Sequence, residues 1–439
     1  MMFYSENITP DSLTGAIFAV EGIKDACVVL NGPTGCKFYH SAISDSQYLR
    51  TLSFDPLAYS EGFYFGQSRV PSTYLDGHDY IFGSGDKITR LLRSVMKKDF
   101  KLIAVINSPG AALIGDDLEG FLAQEVQGVP CFSLENTGYS GSFGTGYQRA
   151  MLKVMDTLEM APRRVRGSSV NLIGLCIYQK HFENNYKVLR QLLELCGIEV
   201  IAAPGATDSV EAITRMTEAS MNVVIYPEYG MEIAIRMEAD YGLPYLCLED
   251  GPPIGFDATM AFVKQVCEAF NADRSGVCAD PGRAIESIER AKARAYLYLA
   301  RFSSLLGLPK GALFSIKAEP SVAYVLTKWL CRYLGMIPAS ISLLPETESS
   351  FALKLEGFLD DINYREVLQS PIIETPTHIL FADGNTIAGL KLYGQKFCGV
   401  EISLPTLGYL DITEKYLMGE QGALFLLEQI MNGLRYVAR

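Results

Sequence analysis

Short apolar runs rich in Val and Ile, each closed by a tight turn and followed by a helical pattern, recur along the whole chain. ACVVLN (26–31), KLIAVIN (101–107) and VPCFSLEN (129–136) are the first of them. VNLIGLCIY (170–178), IEVIAAPG (198–205), NVVIYP (222–227) and LPYLCLED (243–250) form a second group, and GALFSIK (311–317), ASISLLP (339–345), HILFADG (378–384) and GVEISLP (399–405) a third. Runs apolar on both faces suit strands covered by helices on either side, so the repetition predicts parallel sheets in an α/β fold. Two polar breaks, APRRVRGSS (161–169) and NADRSGVCADPGR (271–283), divide the chain into three Rossmann-like domains at 1–166, 167–282 and 283–439. The closing helix, about 421–434, is allowed to pack back on the first of these.

At 439 residues the chain is too long for one ordinary core, in keeping with that division. Its net charge is −12, from 38 basic and 50 acidic residues, and no long basic run occurs, which argues against nucleic acid as the main partner. The N-terminus MMFYSENITPDS lacks a basic and then apolar leader pattern, and no apolar run is long enough to span a membrane, so a cytoplasmic location is expected. The ten cysteines are scattered without a CxxC pair, which gives no support to a zinc ribbon or a thioredoxin-like site. Most lie inside apolar runs and read as small core residues.

Open α/β sheets bind ligands beyond the carboxyl ends of their strands. In the first domain those ends are the loops after residues 31, 107 and 136. The first is VVLNGPTGCKFYH (28–40), where Cys36 follows a Gly-Pro-Thr-Gly turn. The turn is too short for a Walker A loop and lacks its Ser/Thr, and the GxGxxG fingerprint is absent. A nucleophilic reading pairs Cys36 with His40, on the same helical face, but offers no third group to orient the base. A metal-ligand reading uses the room that Gly32 and Gly35 leave beside the thiol, and needs further ligands from elsewhere. A fourth reading makes the cysteine part of the turn and nothing more. At the second strand end, Asp116 and Asp117 read as helix caps, with proton donation as the alternative.

Six segments resemble, in order and over nearly the whole chain, the nitrogenase component 1-type oxidoreductases. They are NGPTGC (31–36), HDYIFGSGDKITRLL (78–92), INSPGAALIGDDLEG (106–120), ENTGYSGSFGTGY (135–147), ADYGLPYLCLEDGPPIG (239–255) and the closing GYLDITEKYLMGEQGALFLLEQIMN (408–432). The resemblance implies a component 1-like fold of three α/β domains. It implies that Cys36 is an iron–sulfur ligand, and that Gly32, Gly35, Gly110, Gly141 and Ser142 line the cofactor.

Departures from the family pattern narrow these implications. No cysteine lies between Cys36 and Cys131, and the family's third ligand position falls on Pro109, so identical copies of this chain have too few thiolates for a double P-cluster. The cysteine that holds the large nitrogenase cofactor is replaced by Tyr226. No histidine lies near Tyr409; the four histidines are His40, His78, His181 and His378. Nitrogen fixation is therefore not expected. By resemblance to the protochlorophyllide reductase, Cys36 would be the single ligand given to a [4Fe–4S] cluster completed by three cysteines of a homologous subunit. A homodimer offering two Cys36 thiolates is the other arrangement. The expected partners are then a homologous component 1-type subunit, an ATP-dependent reductase resembling the nitrogenase iron protein, and a small-molecule substrate in a cleft between domains. Two non-catalytic readings stand beside this one: a cofactor-assembly scaffold, and a metal-free protein binding a small molecule, with the aromatic stretch 59–74 as a pocket wall.

Overall fold

The structure is a computed structural model that describes residues 10–36, 70–135, 141–206, 208–272, 279–344, 349–406 and 411–437. Among these, the strands form three sheets. The first holds β1 (Ala26–Asn31), β2 (Leu102–Asn107) and β3 (Cys131–Leu134) in that order. The second is ordered β5-β4-β6-β7, with β4 (Ser169–Ile173), β5 (Glu199–Ala202), β6 (Met221–Val224) and β7 (Tyr245–Cys247). The third is ordered β11-β10-β8-β9, with β8 (Leu313–Ala318), β9 (Ile337–Leu343), β10 (Ile379–Asp383) and β11 (Cys398–Ser403). Every pairing is parallel, as the doubly apolar runs require.

The helices used below are α1 (Ser12–Glu21), α2 (Gly85–Val95), α3 (Leu118–Glu125), α4 (Phe143–Thr157), α5 (Phe182–Leu195), α6 (Pro227–Tyr241), α7 (Phe256–Ala272), α8 (Gly282–Leu306), α9 (Pro320–Leu334), α10 (Ser350–Asp361), α11 (Gly384–Leu392) and α12 (Gly419–Val437). One contiguous apolar core runs through all three sheets, from Val28 and Leu30 through Val170 and Leu172 to Phe314 and Phe381. Smaller clusters fill the outer face of the first sheet around Val29 and Ile103, and of the third around Leu380 and Ala382.

Two helices, α1 and α10, lie where the sequence reading places none. SLTGAIFAVE is apolar nearly all round, and α1 is correspondingly buried against α4 rather than half-exposed. Their backbones touch. A β-carbon on Gly15 would lie 2.0 Å from the Phe143 carbonyl oxygen, and one on Gly146 would lie 1.9 Å from that of Ser12. The sequence reading treats TGYSGSFGTGY as loop; the described part, from Gly141, enters a helix at once, and Gly146 serves helix–helix contact. The sequence reading also allows α12 to return to the first domain. Its main contacts lie instead with α8, β11, α5 and α7. No helix of the described residues is long and apolar enough to cross a membrane.

Candidate functional site

β1 and β2 both end in asparagine, and Asn31 and Asn107 are register partners. Asn31 Nδ2 donates to Asn107 Oδ1 at 2.8 Å and to Ser84 Oγ at 3.3 Å. Asn31 Oδ1 accepts from Thr73 Oγ1 at 2.8 Å, and Thr73 Oγ1 in turn accepts the Gly32 N–H at 3.0 Å. The Gly32 carbonyl takes the Leu75 N–H at 3.0 Å. All four side chains are buried, so each bond is made in a low-dielectric setting where losing a partner is costly. Asp116 extends the network by accepting from the Ser84 backbone N–H at 2.8 Å and from its hydroxyl. Asp117 caps α3 through the Gly120 N–H at 2.9 Å. Both acids therefore have structural partners, as the capping reading anticipates for Asp117. Gly32 is needed for closeness: a β-carbon there would lie 2.9 Å from Ser108 Oγ.

This network fixes the turn that carries Cys36. The backbone is helical over 34–36, and the Cys36 thiol is half-buried with its pKa raised, first by burial and then by the negative charge of Asp11. A raised pKa keeps the free thiol protonated near neutrality, which disfavours the nucleophilic reading; a bound metal cation would displace that proton. His40, the proposed base, lies outside the described residues. Gly35 is exposed, and among the described residues nothing lies within 4 Å of where its β-carbon would be.

The other expected residues gather round the same rim. Asp11 caps α1 through the Thr14 N–H at 3.0 Å and forms a bridge with Ser142, while the Ser12 N–H donates to the Gly141 carbonyl at 3.2 Å. Ser142 caps α4 through the Thr145 N–H at 3.2 Å. Gly110 lies in the short helix Pro109–Ala112, where its β-carbon would meet the Tyr80 hydroxyl at 3.0 Å. Tyr80 is also close enough to Cys36 for a thiolate there to raise the phenol pKa, after burial. Tyr80, Asp11 and the asparagine pair are absent from the sequence reading. The pair had a visible signal, since two apolar strands ending in Asn place a polar residue where burial demands a partner. Tyr80 had none, because its approach depends on how the short helices Asp79–Phe82 and Pro109–Ala112 are placed.

The rim is apolar. Ile81 is 75 % exposed, Phe82 73 % and Leu113 80 %, beside Tyr80 at 40 %. Among the described residues no three His, Cys, Asp or Glu side chains converge to hold a metal ion. Pro109 opens its short helix and carries no donor, so at this rim the described chain offers one thiolate.

The junction where the carboxyl ends of the second and third sheets meet has a different character. Tyr226 follows β6 and is 4 % exposed, packed against Tyr229 with ring centroids 5.9 Å apart. Phe143 fills in from the first sheet's side, 4.2 Å from the Tyr178 ring and 5.4 Å from that of Tyr229. The Tyr229 hydroxyl donates to Glu319, and Glu228 accepts from the Ser321 N–H and hydroxyl, each at 2.8 Å. Burial raises the pKa of both carboxyls, that of Glu228 to about 7. The remaining cavity, lined by Tyr178, Gln179, Tyr226 and Glu319 among others, measures about 20 Å³, room for roughly one water. The interdomain cleft expected from the resemblance is thus filled at this junction among the described residues, which offer no donor set for a large metal cofactor there.

A family model described as "Nitrogenase component 1 type Oxidoreductase" matches residues 12–435. The nitrogenase iron-molybdenum cofactor biosynthesis protein NifE of Clostridium pasteurianum is 26 % identical over 235 residues, 53 % of this chain and 48 % of its own. A subunit of the light-independent protochlorophyllide reductase of Synechococcus sp. (strain JA-3-3Ab) is 22 % identical over 338 residues, 73 % of this chain and 61 % of its own. The nitrogenase molybdenum-iron protein alpha chain of Methanothermobacter marburgensis is 26 % identical over 247 residues, 54 % of this chain and 50 % of its own. The first matches span about half the length of the curated relatives. A solved structure titled "Nitrogenase Cp1 at pH 6.5" superposes with a TM-score of 0.74 at 16 % identity, covering 98 % of this chain and 93 % of that one, which establishes the shared fold.

Proposed function

The chain belongs to the nitrogenase component 1-type oxidoreductases, and from that membership we propose that it is one subunit of a nitrogenase-like reductase, with an iron–sulfur cluster completed over Cys36 by a second chain. The observation that carries this reading is the rim itself: one half-buried thiol on a hydrogen-bonded turn, near enough to Tyr80 to act on its phenol, with exposed Ile81, Phe82 and Leu113 on or next to the short helices that carry Tyr80 and Gly110. Exposed apolar side chains of this kind mark surfaces that another chain covers. Two of the relatives are themselves named as a subunit and a chain of larger enzymes.

The residues of this chain fit a shared [4Fe–4S] cluster and do not fit one held alone, since Cys36 is its one thiolate at the rim. Such a cluster supplies one-electron transfer at low potential. The chain's own part is to fix the ligand and to exclude water. The Asn31–Asn107–Thr73 network holds the turn, Gly32 and Gly110 let Ser108 and Tyr80 close against it, Gly35 leaves its own side bare, and Gly141 and Ser142 close the side next to Asp11. The proposed partners are a homologous subunit carrying further cysteines, or a second copy, and an ATP-driven iron-protein-like reductase, all in the cytoplasm. The small-molecule substrate would bind beyond the rim and not in the filled junction.

A second reading rests on the closed junction together with the similarity to NifE, whose name describes cofactor biosynthesis: a scaffold that holds a cluster without turning over a substrate. Anaerobic purification with the homologous subunit, followed by iron and sulfide analysis and EPR, tests both. A cluster that is lost in Cys36→Ala, and that is re-oxidised by a substrate when reductase and ATP are present, supports the first. A Cys36-dependent cluster without turnover supports the second. A cluster indifferent to Cys36→Ala sinks both.

A further inference from the structure

We propose that the groove between the carboxyl-terminal ends of α8 and α12 binds an amphipathic carboxylate, an apolar chain ending in an anionic head. The groove encloses about 550 Å³, within the size range of small-molecule sites. Its wall is the last part of α8, with Tyr298, Leu305 and Leu306, and fully buried Leu434 of α12 lies beneath. These side chains extend over about 12 Å of helix, from Tyr298 to Leu306.

The charge in the groove is of one sign. Among the described residues, Arg301 and Arg435 line it and no Asp or Glu does. Arg301 and Arg435 have no carboxylate within ion-pair distance among the described residues. In a chain of net charge −12 this is a local inversion, cationic and apolar together. A guanidinium beside an apolar wall is complementary to a planar carboxylate on a hydrocarbon body, which it can hold by its paired N–H donors. A second copy placed here about a two-fold axis would set the arginines of one chain against those of the other, so self-association is the poorer occupant.

The experiment uses the full chain, laurate and its methyl ester, and a photoreactive diazirine fatty acid. Laurate is expected to bind saturably at one equivalent by calorimetry. The photolabel is expected on peptides containing residues 298–308 or 431–435. The exposed double variant Arg301→Gln/Arg435→Gln should bind laurate about tenfold or more weakly, since charge-assisted pairs are strong hydrogen bonds, while the neutral ester is unaffected by the exchange. Labelling at the Ile81–Phe82 rim instead, equal binding of acid and ester, or undiminished binding by the double variant would overturn the proposal. So would cross-links from these peptides to another polypeptide that laurate does not displace.

Discussion

Asn31 reaches across the first sheet to Asn107, its register partner, and the 2.8 Å bond between their amides closes the carboxyl ends of two strands directly beneath the Cys36 turn. Replacing Asn31 by Ala takes a hydrogen-bond partner from the Asn107 amide oxygen, the Thr73 hydroxyl and the Ser84 hydroxyl, all in a buried setting. The expected cost is about 2–3 kcal/mol of unfolding free energy, read as a lower urea midpoint with unchanged slope. An unchanged midpoint would show that the network does not hold the turn.

The chemistry of the thiol itself is testable in the isolated, cluster-free chain. Because burial and Asp11 raise the Cys36 pKa, alkylation of the Cys36 peptide by iodoacetamide at pH 7 should be slower than that of a free cysteine and should accelerate toward alkaline pH. Asp11→Asn removes a negative neighbour and should speed the reaction at a given pH. Peptide-resolved mass spectrometry reads both rates, and a slower Asp11→Asn chain would contradict the assignment.

Glu228 gives a pH dependence with a definite sign. Its carboxyl is raised from 4.5 to about 7 in the folded chain, so the native state keeps a proton that the unfolded chain releases. Its contribution is fully present below about pH 4.5 and is lost as pH climbs through about 7, by about 3 kcal/mol at most. Glu228→Gln keeps an acceptor for the Ser321 N–H and cannot ionise. The difference in stability between variant and parent should therefore grow in the variant's favour across that window, in denaturation curves taken at pH 5, 6, 7 and 8. A constant difference would refute the linkage.

Two glycines make opposite predictions. Gly146→Ala forces a β-carbon into the Ser12 carbonyl and should destabilise the chain severely, by more than the ~1–3 kcal/mol typical of an overpacked core. Gly35→Ala meets nothing within 4 Å and should leave the melting temperature nearly unchanged while lowering iron content in the assembled complex. If both variants melt alike, the close approach of α1 and α4 is not what Gly146 serves.

Much of the fold is legible because parallel strands buried on both faces write themselves as unbroken apolar runs. Each such run, from ACVVLN to GVEISLP, contains a strand, although VNLIGLCIY (170–178) ends its strand already at Ile173. What escapes are elements defined by contact and not by period. α1 has no polar face to reveal it, and Gly144 and Gly146 look like loop until a second helix lies against them. At the candidate site, the expected residues gather at one sheet edge, but Asp11, whose charge acts on the thiol, and Tyr80, on whose phenol the thiolate acts, arrive from a helix cap and a distant short helix. The filled junction was foreshadowed by Tyr226 standing where a cysteine was expected, although one substitution cannot show that Phe143, Tyr178 and Tyr229 occupy the space as well.

That aromatic plug has a mechanical meaning. Phe143 comes from the first sheet's helix layer, Tyr178, Tyr226 and Tyr229 from the second, and Glu319 and Ser321, which hold it by hydrogen bonds, from the third. None of the three units can swing away from the others without pulling a ring out of its neighbours. The molecule is therefore keyed together at its centre like the blocks of an arch.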